Sequence, residues 1–170
     1  MKKKFLCIIM AVLLAFGIAG CGAQNEENGG GEAEESSVGE KPDPETATKG
    51  EMLAYIFRSE ASEGTAMEDI VNDLAAQSGY DCGVIECEEG YLTGFSDEVR
   101  GFKSALMFSP YIGTIPFVGY VFETDEPEKL KETLTLLADP RWNICTEADE
   151  TVADVWENYV FFVMCPGKDF

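Results

Sequence analysis

Residues 115–124 read IPFVGYVFET, a run in which both sets of alternating side chains are apolar. A strand with one exposed face alternates apolar and polar residues, whereas a strand covered on both faces does not. The run therefore predicts a central strand with packing layers on both faces. Residues 159–165 read YVFFVMC and predict a second strand of this kind. Two such strands exclude a fully helical domain.

Helical periodicity precedes and follows the first run. Residues 65–68 (TAME) match a capping box, the apolar stripe behind it predicts a helix, and Ser78-Gly79 ends that helix. A shorter helix is predicted before it. Residues 125–128 (DEPE) open another helix, with Leu130, Leu134 and Leu137 facing inward and Pro140 ending it. Ser96 is predicted to cap a fourth helix, which stops before Pro110 and carries Val99, Phe102 and Leu106.

The remaining strands complete the predicted topology. Residues 82–88 and 141–146 have strand patterns, and 91–95 fits a strand or a loop. Strand, helix and strand over 115–146 form a crossover that predicts two parallel strands. Residues 152–156 and 159–165 predict an antiparallel hairpin that turns near Glu157-Asn158. We therefore expect an α+β fold: a single domain with a mixed four- or five-stranded sheet packed against helices.

The N-terminus has the pattern of an export signal. Residues 2–4 are lysines, residues 5–18 are mostly apolar, and residues 18–21 read IAGC. The apolar stretch is too short for an ordinary membrane span and fits a cleaved signal. Small residues followed by cysteine resemble a bacterial lipobox, which implies acylation of Cys21. The alternative is a plain secretory signal with a chance cysteine near the cut.

The pattern divides the chain into three parts: a signal peptide (1–20), the acylated Cys21 with a disordered acidic tether (21–49), and a globular domain (50–170). Two acyl chains are enough for stable anchoring. We therefore expect a lipid-anchored protein on the extracytoplasmic face of the cell membrane. The tether is rich in Gly, Glu, Ser, Pro and Thr, a composition that does not bury enough apolar surface to fold.

The net charge of the chain limits the classes of molecule that it can bind. Residues 1–20 hold three of the 12 basic residues and none of the 32 acidic ones, so their removal changes the net charge from −20 to −23. So negative a surface repels phosphate backbones, and we expect no nucleic acid partner. It favours cations or basic partners, although a solvated acidic surface needs no partner at all.

The absence of histidine limits the chemistry. The chain has no histidine, which excludes Ser-His-Asp and Cys-His catalysis and zinc sites with imidazole ligands. We expect no metal and no cofactor. Any general base near neutral pH would have to be a carboxylate or a lysine with a shifted pKa.

Four cysteines follow the tether: Cys82, Cys87, Cys145 and Cys165. An even number in an exported chain allows two disulfides, whereas free thiols would pack as small apolar groups. Cys82 and Cys87 fall on opposite faces of one strand, so they should not pair with each other. If a bridge forms, the expected pair is Cys145 with Cys165.

Several short motifs are shared with a known group of proteins. Residues 102–106 (FKSAL), Ser109-Pro110, residues 139–142 (DPRW), Ile144-Cys145 and the closing apolar strand resemble the C-terminal domain of small lipoproteins from Gram-positive anaerobes. The resemblance covers about residues 80–165. That uncharacterised family has no assigned activity, so it implies localisation and fold. The chain departs from the pattern at Arg141, which stands directly before Trp142 where the family has an additional lysine.

Binding residues are expected at Arg141 and Trp142, just after the helix that Pro140 ends, and at Tyr111. Arg141 could clamp a ligand carboxylate or stack beside Trp142, and Tyr111 could stack on a sugar ring. The structural alternative is that Pro140 ends the helix, Trp142 packs in the core and Arg141 pairs with an acid. Basic residues are rare in the domain, and Arg58, Arg100, Lys103 and Arg141 would form a distinctive site if they gathered in one cleft.

Two groups of carboxylates are candidates for a catalytic site or a metal site. Glu86, Glu88, Asp97 and Glu98 could supply the acid pair of a glycoside hydrolase. The acidic run at 147–154 offers oxygen ligands for calcium, but it lacks the DxDxDG spacing of a calcium loop, so a solvated loop is favoured.

These patterns lead to three hypotheses. The first is a non-catalytic binding or accessory domain for a protein, peptide or small solute. The alternatives are a carboxylate-dependent extracytoplasmic hydrolase and a structural spacer. A deep pocket with two acids, one of raised pKa, would favour the hydrolase, and an exposed apolar patch or open strand edge would favour the binding domain.

Overall fold

The structure is a computed structural model that describes residues 38–167. The predicted signal peptide, Cys21 and the tether up to residue 37 lie outside the described residues. Folded structure begins just before the predicted boundary at residue 50, because the first helix starts at Lys49.

Three helices and seven strands form the described domain. The elements in chain order are α1 (Lys49–Ser62), α2 (Met67–Gln77), β1 (Cys82–Cys87), β2 (Gly90–Tyr91), β3 (Glu98–Val99), β4 (Ser104–Pro110), β5 (Val118–Glu123), α3 (Pro127–Leu137), β6 (Glu150–Trp156) and β7 (Tyr159–Cys165). Five strands form a sheet in the order β1-β4-β5-β7-β6, and β2 pairs with β3. The predicted α+β domain, with a five-stranded sheet packed against helices, is confirmed.

Neighbouring strands of the five-stranded sheet all run antiparallel. The predicted parallel neighbours are therefore not found. A crossover through α3 does exist, but it leads from β5 to β6, and β7 returns between these two strands. β5 and β6 run in the same direction without touching, because β7 is antiparallel to both.

The two central strands are covered on both faces, as predicted from 115–124 and 159–165. One face, with Val121, Phe161 and Val163, packs against α1 and α2. The other face packs against α3 and the segment between β1 and β4, and its buried side chains include Val118, Tyr120, Phe122, Val160, Phe162 and Met164. The sheet is thus the middle layer of a three-layer domain.

Gly119 in β5 allows one close approach in this core. Its partner across the ladder is Phe108 of β4. A Cβ atom on Gly119 would lie 2.2 Å from Cζ of the Phe108 ring. The ring therefore occupies the space that a side chain at position 119 would need.

A capping box is present, but at a different helix from the one predicted. Thr48 Oγ1 accepts from the backbone N–H of Glu51 at 3.2 Å, and the Glu51 carboxylate accepts from the Thr48 N–H at 2.8 Å. At α2 the N-cap is Ala66, without a side-chain bond, so the box predicted at 65–68 is wrong. The predicted α2 itself is confirmed. The helix before it, predicted to be shorter, is longer than α2.

Glu150 joins the start of α1 to β6. Its carboxylate accepts hydrogen bonds from Thr48 Oγ1 and, at 3.0 Å, from the Gly50 N–H. A carboxylate at the positive end of a helix dipole is stabilising. Gly50 permits the approach, since a Cβ there would lie 2.7 Å from both Glu150 Cδ and Val152 Cγ2.

Two predicted elements are wrong. The helix expected after Ser96 is replaced by β3 and β4, separated by Gly101 at φ +91°. The strand expected at 141–146 is a series of turns, in which Trp142 N–H bonds the Asp139 carbonyl at 3.0 Å. The hairpin of β6 and β7 is confirmed, and Glu157 makes its turn with φ 51°.

Candidate binding edge of the sheet

β1 lies at one edge of the sheet and is bonded on one side only. It pairs with β4, with Val84 opposite Phe108 and Ile85 opposite Met107. In the part of the chain that the structure describes, no strand pairs with its other side. β1 therefore presents an open edge of six residues, about 20 Å long.

The register identifies which backbone groups point outward. The Tyr111 N–H donates to the Asp81 carbonyl at 3.1 Å, so this pair belongs to the bonded set of the antiparallel ladder. Bonded and non-bonded pairs alternate along such a ladder. The N–H and C=O groups of Cys82, Val84 and Glu86 therefore point away from β4. None of these groups has a hydrogen-bond partner among residues 38–167.

Apolar side chains lie beside this edge on the α3 face of the sheet. Ile85 is 55% exposed and Tyr111 is 74% exposed. The Tyr111 ring lies over Gly83, where a Cβ atom would be 3.0 Å from ring carbon Cε1. Tyr111 and Ile85 thus lie on the same face of β1, because Gly83 and Ile85 are two residues apart.

Two loops continue this apolar surface around the end of the sheet. The amide of Asn143 donates to the Gly113 carbonyl at 2.6 Å, and Thr146 Oγ1 donates to the Thr114 carbonyl at 3.1 Å. Ile112 on the first loop is exposed, and Ile144 on the second is 99% exposed. We call Ile85, Tyr111, Ile112 and Ile144 the apolar rim.

The three predicted binding residues have different surroundings in the structure. Arg141 is exposed, and its Nε bonds Glu147 Oε2 at 2.8 Å. Trp142 is half-buried and packs against the core on the α3 face. Of the three predicted residues, only Tyr111 belongs to the apolar rim. Arg141 thus has the acidic partner, and Trp142 the core packing, that the structural alternative describes.

The scarce basic residues do not share one cleft. Arg100 and Lys129 line a shallow cleft at the start of α3, where Arg100 bonds Glu98 and Lys129 bonds Glu126. Lys103 pairs with Asp125. Arg58 and Arg141 lie elsewhere, with the first paired to Asp154 on β6.

The acidic run at 147–154 is used structurally. Glu147 pairs with Arg141, Asp154 pairs with Arg58, and Glu150 holds the start of α1. Asp149 accepts from the Gly167 N–H at 2.8 Å. Across residues 38–167 no group of three acidic or cysteine side chains is close enough to hold a metal ion.

All four cysteines in the described domain are free thiols. Cys165 is buried at the end of β7, whereas Cys145 is exposed on a loop. Cys145 and Cys165, the pair expected if a bridge forms, are thus not bonded to each other in this structure. Burial, and then the nearby Glu150 carboxylate, raise the pKa of the Cys165 thiol, which keeps it protonated.

Among residues 38–167, Glu60 is the carboxyl group whose pKa is shifted most. It lies on α1, and burial followed by hydrogen bonding and charge repulsion from Asp73 on α2 raise its pKa from 4.5 to about 7. Its Oε2 atom is buried without a hydrogen-bond donor among the described residues. A proton on Glu60 would let the two carboxyl groups share a hydrogen bond. Neither residue lines the clefts at the start of α3, around residues 141–147 or beside residues 44–56.

Sequence reasoning missed the Glu60–Asp73 pair and the open edge. The first depends on how two helices pack, and the second on the order of strands in the sheet. The strand predicted at residues 82–88 is confirmed as β1. Nothing local showed that this strand would lie at an edge.

Comparison with known proteins adds no relative. No family model matches the chain, and neither a curated protein nor a solved structure matches it. Within residues 38–167, no helix has the length and apolar character required to cross a bilayer.

Proposed function

We propose that this chain is a lipid-anchored protein of the extracytoplasmic face of the cell membrane, whose folded domain binds a protein, peptide or small solute and is not catalytic. The observation that carries the binding role is the open edge of β1 beside the apolar rim. An unpaired strand edge is a template for another chain, and exposed apolar side chains next to it add contact area.

The anchoring part of the proposal rests on residues 1–21. The lysines at 2–4, the apolar stretch at 5–18 and Cys21 match a lipoprotein signal. The resemblance of residues 80–165 to small lipoproteins of Gram-positive anaerobes supports the same location. We expect that Cys21→Ser abolishes incorporation of a labelled fatty acid and moves the protein out of the membrane fraction.

Cys7→Ser is the matched control, because Cys7 lies in the apolar stretch that is removed with the signal. This variant should still incorporate the fatty acid and stay in the membrane fraction. Equal labelling of the Cys21→Ser variant and the unchanged protein would exclude lipid anchoring at Cys21.

The binding part can be tested in membranes with a photo-crosslinking amino acid. Placed at Ile85, beside the open edge, it should capture a defined partner. Placed at Leu136, an exposed apolar residue on α3, it should not capture that partner. The same capture at both positions, or none at either, would contradict a binding role for the β1 edge.

A carboxylate-dependent extracytoplasmic hydrolase is the second candidate, and the raised pKa of Glu60 favours it. Glu60 and its neighbour Asp73 lie between α1 and α2, away from the clefts described above, so we place the hydrolase second. A hydrolytic activity lost in both Glu60→Gln and Asp73→Asn, with folding retained, would reverse that order.

A further inference from the structure

The outward groups of Cys82, Val84 and Glu86 are arranged to bond an extended chain. Three N–H groups and three carbonyls, spaced two residues apart, are what one side of an antiparallel or parallel ladder offers. Neither a helix nor a small solute would satisfy all of them. An extended peptide would, in the mode known as β-augmentation.

Charge around the edge selects among extended peptides. Asp81, Glu86 and Glu88 are exposed on or beside β1, and none of them forms an ion pair within residues 38–167. The whole chain has a net charge of −20. A basic segment would gain three carboxylate partners and would be attracted from a distance by the overall field.

We infer that the open edge of β1 binds an extended, basic segment of another polypeptide as an additional strand. This inference rests on the proposed binding function and names the partner class for the same surface.

The acidic residues at this edge disfavour two other occupants, namely a second copy of the chain and the chain's own tether. A second copy of the chain would bring a second surface with the same negative charge against this edge, and the repulsion between the two acidic surfaces opposes that contact. The chain's own tether is acidic as well, with eight acidic residues and two lysines at positions 22–49. Negative charge thus disfavours both self-association and binding of the tether, while it leaves the edge open to a basic strand.

The position of β1 also keeps it accessible. The described chain begins near the opposite side of the sheet, where Gly39 lies beside the guanidinium of Arg58 and Arg58 bonds Asp154 of β6. β1 and β6 are the two outer strands, separated by three others. That separation amounts to about 19 Å. The tether therefore enters the domain away from the proposed binding edge.

Alternation along β1 predicts the sequence pattern of the partner. On the α3 face, the added strand would meet Ile85 and Tyr111, so apolar side chains fit there. On the other face it would meet Glu86, so lysine or arginine fits there. Successive residues of a strand point to opposite faces, so the expected segment alternates apolar and basic residues.

The test uses the full chain, purified in detergent, and fluorescent peptides of about seven residues. One peptide alternates valine with lysine, and a second alternates valine with glutamate. A third is the first peptide with two of its valines replaced by proline. Binding is measured by fluorescence anisotropy at low and high salt. We expect the lysine peptide to bind, with affinity that falls as salt rises, and the other two to bind at least about tenfold more weakly.

Two variants locate the binding at the edge. Val84→Pro removes one outward N–H, and proline is tolerated where a strand's N–H faces solvent. Glu86→Lys reverses the charge on β1, and Glu132→Lys makes the same change in net charge on the exposed surface of α3. We expect Val84→Pro and Glu86→Lys to weaken the lysine peptide by about tenfold or more, and Glu132→Lys to leave its affinity within about twofold.

Three results would overturn the inference: no binding of the lysine peptide, equal binding of the proline-containing peptide, or equal losses in Glu86→Lys and Glu132→Lys. The last would mean attraction to the overall charge alone. If Val84→Pro does not fold, the comparison of Glu86→Lys with Glu132→Lys still tests whether the peptide binds at the β1 edge. Capture of a partner by crosslinking at Ile85, together with absence of peptide binding, would retain the proposed function and reject the basic strand.

Discussion

Gly119 shows how one missing side chain can organise a core. The Phe108 ring lies across β5 at this position, and it also contacts Phe117 with ring centroids 5.7 Å apart. An aromatic ring that covers a cross-strand glycine fills the gap and pins the register of the two strands. The pairing of β4 with β5 therefore depends on the absence of a Cβ at residue 119.

Gly119→Ala should lower the free energy of unfolding by about 1–3 kcal/mol, because a buried ring has to move out of a packed position. Urea unfolding followed by circular dichroism measures this change. Gly113→Ala is the control, since a Cβ there has no atom within 4 Å, and its effect should stay within about 0.5 kcal/mol. Equal effects at the two positions would mean that Phe108 does not constrain residue 119.

The two C-terminal cysteines should differ in reactivity. In the native protein, a thiol reagent should modify the exposed Cys145 rapidly and the buried, protonated Cys165 only after unfolding. Mass spectrometry of peptides after timed labelling gives both rates. If neither cysteine reacts until a reductant is added, the two cysteines form a Cys145–Cys165 bridge in solution.

At the scale of elements, the start of α1 is the best-defined helix end in the domain. Thr48 takes part in the capping box and donates to Glu150 across to β6. Thr48→Ala should therefore cost about 1 kcal/mol, with a range of about 0.5–2 kcal/mol. Thr65→Ala, which removes the threonine of the predicted but absent box, should change stability by less than about 0.5 kcal/mol.

Thermal unfolding of the two threonine variants under one set of conditions measures both effects. A larger loss at Thr65 than at Thr48 would contradict the capping assignment.

The contact between α1 and α2 should make stability depend on pH. Glu60 faces Asp73, Glu63 and Asp69, and its pKa is raised from 4.5 to about 7. The folded state then binds more protons than the unfolded state between these two values, so the free energy of unfolding falls as pH rises through them. Glu60→Gln cannot titrate, and its stability should fall less over this range.

Denaturant unfolding at several pH values between about 4.5 and 7 tests the effect of Glu60. Glu132→Gln, an exposed substitution on α3, should retain the pH dependence of the unchanged protein. If Glu60→Gln shows the same slope as that control, the carboxyl pair does not hold a proton.

Sequence-based prediction was correct for elements whose local residue pattern matches the burial that the fold gives them. Residues 118–123 and 159–165 are apolar on both faces, and they became the two central strands. Val99, Phe102 and Leu106 have helical spacing, but the sheet and the segment over it bury them instead, and Gly101 breaks the run. The helix there was wrong because tertiary packing can supply the same spacing.

The candidate site was harder to predict than the fold. Tyr111 was expected to bind, and it lies in the apolar rim. Val84 was predicted only as a strand residue, and Glu86 was considered only as a strand residue and a candidate catalytic carboxylate, not as part of a binding edge. Edge position depends on the crossover through α3 and on the return of β7 between β5 and β6, and neither follows from residues near β1.

At the scale of the whole molecule, charge should affect stability. A net charge of −20 makes the folded surface repel itself, and salt screens this repulsion. The melting temperature at pH 7 should therefore rise as sodium chloride is added. Near pH 4, where carboxylates are about half protonated, the rise should be much smaller. Equal salt effects at the two pH values would show that charge repulsion is not the cause.

The place of β7 in the sheet determines when during synthesis the domain can fold. Until residues 159–165 are available, β5 lacks one neighbour and β6 has no strand to pair with. A growing chain therefore cannot close its sheet until residue 165 has left the ribosome or the translocation channel. If the chain is exported as proposed, the domain would stay unfolded during its passage across the membrane and would fold only on the far side, and any product that stops before β7 would be exposed to proteases.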